Sequence, residues 1–165
     1  MQEALAAIDK GGFPEAVIRM LVLLAENRKG VRRDRLERSS HVLNEDEPFA
    51  SLGAEARAAI ISRQTLIATY EPERAVETLA LLLKSPEERN LAIRTVFYIP
   101  GDVAEMAEGT LAMLHRFCDV LGIERRTETV TEDPLQPAAM TPMQAPEVGV
   151  SKTSRAASKK IEAAE

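Results

Sequence analysis

Residues 13–29 read FPEAVIRMLVLLAENRK, and within them the run from Val17 to Ala25 is apolar except at Arg19. Pro14 suits a first helical turn, where its missing N–H costs nothing, and Gly30 suits a helix end. A helix that is apolar around most of its circumference must be surrounded by other elements. The stretch therefore predicts a buried central helix and, around it, an all-α domain.

Working outward, residues 1–8 carry Leu5 and Ile8 at helical spacing and predict a short leading helix that stops at Gly11 and Gly12. On the other side, residues 31–43 (VRRDRLERSSHVL) predict a one-sided surface helix with Leu36, Ser39, Ser40 and Leu43 inward. Residues 44–53 read as a loop, from the acidic run, Pro48 and Gly53, with Phe49 and Leu52 as anchors to the core. Residues 54–70 repeat apolar positions at helical spacing, through Ala56, Ala59 or Ile60, Ile61, Leu66, Ile67 and Tyr70, and end where Glu71 precedes Pro72. Pro72 opens a further helix with Val76, Leu79, Leu82 and Leu83 buried.

Ser85-Pro86-Glu87-Glu88 has the grammar of a capping box and starts a helix at Pro86 that runs to about Tyr98, before Pro100-Gly101. A last helix is expected from Glu105 to Leu121, with Gly122 as its stop. The sum is about six or seven helices over residues 1–123. Residues 124–165 hold four prolines, Pro134, Pro137, Pro142 and Pro146, and little large apolar surface, and read as a disordered tail. Sliding the chain by 75 positions sets Val17-Ile18-Arg19 on Ala92-Ile93-Arg94 and Val42 on Phe117, which fits either two similar halves or two coinciding amphipathic helices.

The chain has 165 residues, 45% of them hydrophobic, enough for one core. Aromatic residues make up 4% and Trp is absent, so aliphatic and Met side chains must fill that core. A net charge of −5 argues against a general nucleic-acid binder. Cys118 is the single cysteine and has no internal disulfide partner, which points to a reducing cytoplasm. The first residues lack the basic and apolar regions of a secretory signal, and the central run is shorter than the roughly 20 residues of a membrane span.

No Gly-x-Ser-x-Gly elbow occurs, Cys118 lies mid-helix, and His41 and His115 are far apart in sequence, so no catalytic residue is expected and no cofactor motif is present. Asp102, Glu105 and Glu108 are spaced by threes and suit either a hard cation or the positive end of a helix dipole. Arg32, Arg33, Arg35 and Arg38 crowd one short helix in a net acidic protein. They suit an acidic protein surface, a phosphate, the chain's own Glu45-Asp46-Glu47 run, or a merely solvated face; without interleaved aromatics, nucleic acid ranks last.

The stretches GGFPEAVIRMLVLLAENRKGVRRDRLERS, DEPFASLGAEARAAIISRQTLIATYEPERAVETL and SPEERNLAIRTVFYIPGDVAEMAEGTLAMLHRFCDVLGI together resemble the C-terminal helical region of a bacterial family related to polyhydroxyalkanoate synthases. More distantly the chain is similar to tellurite-resistance TerB-like domains. The first resemblance implies a non-catalytic accessory or interaction domain, whose protein partner is an α/β-hydrolase-like subunit; alternatively the chain is a piece of such an enzyme. The second implies a TerB-like bundle with acidic metal ligands beside a glycine. Here Lys29 stands before Gly30, and Gly101 precedes Asp102, so the pattern is altered at both places.

Overall fold

The structure is a computed structural model that describes residues 1–26 and 32–136. Every regular element among them is helical: α1 (Gln2–Ala6), α2 (Phe13–Glu26), α3 (Arg33–Glu45), α4 (Phe49–Leu52), α5 (Ala54–Tyr70), α6 (Pro72–Glu77), α7 (Leu79–Leu82), α8 (Pro86–Tyr98) and α9 (Glu108–Leu121), with a 3-10 turn at Val103–Glu105. The expected tail beyond residue 136, and the Lys29–Gly30 pair, lie outside the described residues.

As its composition requires, α2 is the hub. It lies along α5 and also touches α6, α7, α8 and α9. Phe13, Ala16, Val17, Ile18, Met20, Leu23 and Leu24 are all buried, and each large apolar side chain contributes roughly 1.5–3 kcal/mol on burial. Its one charged interior residue, Arg19, is fully buried too. Arg19 Nε donates to Gln64 Oε1 of α5 (2.7 Å), Nη1 to Thr78 Oγ1 (2.8 Å) and Ala75 O (3.3 Å), and Nη2 to Ile8 O beyond α1 (2.8 Å). Burial lowers this guanidinium to about 10, against the opposing pull of Glu15, so it stays charged at neutral pH. Arg94, its counterpart in the 75-residue offset, is exposed.

The Ser85 box forms as its residues dictate. Ser85 Oγ accepts from Glu88 N (3.1 Å), and Glu88 Oε1 accepts from Ser85 N (3.4 Å). The single helix expected after Pro72 is broken at Thr78, which lies between α6 and α7 and turns its hydroxyl to Arg74 O while accepting from Arg19. Val76, Leu79, Leu82 and Leu83 are buried regardless of that break. Phe49 is buried in the single turn α4, and Gly122 ends α9 in the left-handed conformation at φ 70°.

Two helix faces differ from their reading in sequence. On α5 the inward residues are Ile60, Gln64, Ile67 and Ala68, while Tyr70 and Ile61 are exposed. On α3, Arg35 and Val42 point inward and Leu36 is 51% exposed. Polar side chains with specific partners took the inward positions in both helices, a choice that apolar spacing does not register.

The domain also extends past Ile123. Its compact unit runs to Leu135, which joins the buried core, with Ile123 and Val130 packed against it. Thr129 Oγ1 accepts from Val103 N (3.0 Å) and donates to Asp102 Oδ1 (3.1 Å), and His115 Nε2 meets Arg126 O at 3.0 Å. Residues 124–135 therefore belong to this compact unit. A few anchors at irregular spacing hold them, and irregular spacing leaves no periodic signal.

Candidate functional site

The four arginines expected to form one contact face separate into two groups. Arg35 Nε donates to Pro100 O (3.1 Å) and Arg38 Nε to Ile99 O (2.9 Å), at the C-terminal end of α8. The last carbonyls of a helix lack intrahelical partners and carry the negative end of its dipole, so a guanidinium satisfies both needs. Arg38 also bonds Asp34 Oδ2 (3.1 Å) and lies over the Tyr98 ring, 5.8 Å from its centroid. Gly101 has φ +96°, and a Cβ there would stand 2.7 Å from Arg38 Nη2, so a glycine is required for this approach. Arg35 and Arg38 thus clamp the end of α8 from within the domain. Arg32 and Arg33 do face solvent, Arg32 near Asp34 (3.2 Å) and Glu105 (3.6 Å), and the 91% exposed Arg33 beside Glu37 (3.3 Å).

Asp102, Glu105 and Glu108 do not converge. Asp102 Oδ1 caps the 3-10 turn by accepting from Ala104 N (2.9 Å), Glu105 reaches Arg32, and Glu108 sits in the first turn of α9. Among the described residues, the group with metal-ligand spacing is a different one: His41, Asp46 and Asp133.

That cluster is built where α3 ends. His41 stands one turn before the end of α3, Asp46 is its C-cap, and Asp133 arrives from the segment after α9. His41 Nε2 lies 3.4 Å from Asp46 Oδ1 and 3.7 Å from Asp133 Oδ2, while its Nδ1 faces Glu45 Oε1 at 3.3 Å. The side chains of Asp46 and Asp133 are only 2% and 5% exposed, and that of His41 is 35% exposed. Burial, and then the facing carboxyl group of Asp133, push Asp46 up to about 7, against the pull of His41. Burial and the same two aspartates raise the Tyr98 hydroxyl. In the sequence, a histidine five residues before an aspartate at a helix end was the legible half; Asp133, inside the supposed tail, was not.

Cys118 is fully buried and burial raises its thiol, so thiolate chemistry is disfavoured there. No helix among the described residues is long and apolar enough to cross a membrane.

These features define an all-α domain, organised by buried arginines and carrying, among the described residues, one histidine–aspartate cluster whose two carboxylates are buried. No protein family, curated protein or solved structure matches the chain.

Proposed function

We propose that this chain is a non-catalytic accessory domain that works in the cytoplasm by binding a protein, in the manner implied by its resemblance to the C-terminal region of polyhydroxyalkanoate synthase-like proteins. The observation that carries the reading is the outer face of α3. There Leu36 is 51% exposed next to the exposed Arg33, on a helix whose inward positions are held by Arg35 and Val42. An apolar side chain ringed by charge suits a contact with a polar rim. Arg33 offers a paired hydrogen-bond donor to a carboxylate on the partner. That partner is an α/β-hydrolase-like subunit or portion.

Capture of the purified α/β-hydrolase portion of a polyhydroxyalkanoate synthase-like protein by the immobilised domain tests this. Wild type is expected to bind, with L36D and R33E each weakening recovery, and binding is expected to fall at higher salt as the Debye length drops below about 8 Å. Equal recovery by all three chains would return α3 to the status of a solvated face.

A further inference from the structure

The cluster at the end of α3 has the dimensions of a coordination sphere. A tetrahedral ion with bonds of about 2.0–2.2 Å holds its ligand atoms roughly 3.3–3.6 Å apart. His41 Nε2 is 3.4 Å from Asp46 Oδ1 and 3.7 Å from Asp133 Oδ2, and all three ligand atoms fall within 4.8 Å of one another. We propose that His41, Asp46 and Asp133 bind a divalent first-row transition ion, best matched by Zn²⁺, which fastens the segment 124–135 to the end of α3.

Two further observations point to a cation. Asp133 is 5% exposed, yet its Oδ2 receives no hydrogen bond and is directed toward His41 and Asp46. Its other oxygen accepts from Leu135 N at 2.9 Å, which fixes the carboxylate's orientation. Glu45 stands 3.3 Å from His41 Nδ1, where a carboxylate accepts the ring N–H and leaves Nε2 as the basic, ligating nitrogen. Metal-bound histidines as a rule give this second ring N–H to a carboxylate, a backbone carbonyl or water. Two buried carboxylates side by side repel each other, and a dication removes that repulsion. The imidazole disfavours Ca²⁺ and Mg²⁺, which take oxygen ligands. His41 forms the accessible side of the site, so three protein ligands leave a fourth position for water or a partner's side chain.

The test uses the full chain, stripped with a chelator and titrated with Zn²⁺ by calorimetry, and with Co²⁺ as a spectroscopic probe. One equivalent is expected to bind, raising the melting temperature, and Co²⁺ is expected to show the intense visible absorption of a tetrahedral site. H41A and D133N are each expected to lose at least tenfold in affinity, and E45Q about tenfold, as outer-sphere changes do. H115A, whose ring meets the Arg126 carbonyl instead, should bind like wild type. Because His41 is partly exposed, H41A should retain the far-ultraviolet spectrum of the folded chain, so its loss of binding reports on the site. No uptake by the wild-type chain, or uptake that H41A and D133N leave unchanged, would overturn the proposal. Neither result depends on whether the α3 face binds a partner.

Discussion

Arg19 Nε donates to Gln64 Oε1 at 2.7 Å across the α2–α5 contact, and neither side chain reaches solvent. The guanidinium's other donors reach the chain beyond α1 and the α6–α7 junction, so one residue draws three parts of the domain onto α2. Arg19→Met removes the donors and leaves Ile8 O, Ala75 O and Gln64 Oε1 buried without them. It is expected to cost about 3 kcal/mol or more, measured by urea denaturation. Arg19→Lys should recover only part of this, since one ammonium cannot replace a planar fork with donors in three directions. Coincident denaturation curves would show that the arginine is dispensable.

The clamps on α8 and the exposed arginines of α3 should respond oppositely to substitution. Arg35→Gln loses a charged hydrogen bond to Pro100 O and is expected to cost about 1.5–3 kcal/mol. Arg33→Glu, at a site 91% exposed, should stay within about 0.5 kcal/mol of wild type. A stability loss at Arg33 as large as that at Arg35 would contradict the division of this helix into a clamp side and a free side.

Truncation should locate the true edge of the domain. A chain ending at Gln136 keeps Leu135 in the core and the Thr129 bridge to Val103 and Asp102, whereas a chain ending at Ile123 loses both. The shorter chain is expected to melt several degrees lower, as a loss of about 1–3 kcal/mol implies for a domain of this size. Equal melting temperatures would mean that residues 124–136 contribute nothing to stability.

In metal-free protein, Asp46 should make stability depend on pH. Its folded-state value of about 7 lies above its ordinary 3.8, so the folded chain holds the proton more tightly than the unfolded one. This contribution is complete below 3.8 and is lost as pH rises through about 7. The groups that face it are Asp133 from the C-terminal segment and His41 and Glu45 from α3. With chelator present, the melting temperature of wild type should fall relative to D46N across that window, since asparagine cannot titrate. A constant difference between the two chains would show that Asp46 ionises as an ordinary surface carboxylate.

What the sequence by itself determined is the part of the molecule governed by neighbours a few residues apart. The apolar run of α2 made it the hub, Pro72 and Glu71 placed the α5–α6 boundary, and Ser85 and Glu88 placed the start of α8. Tertiary structure alone decided which polar residues turn inward. Arg19, Arg35 and Gln64 are buried because acceptors and donors from distant segments meet them, and nothing within a helical turn reveals those partners. The same holds for the cluster at the end of α3. His41 and Asp46 are local to one another, but Asp133 joins them only because Leu135 and Val130 pack the following segment onto the core. Helix caps and apolar stripes arise from short-range sterics and hydrogen bonds, whereas a site assembled from segments far apart in sequence exists only once the whole core has formed.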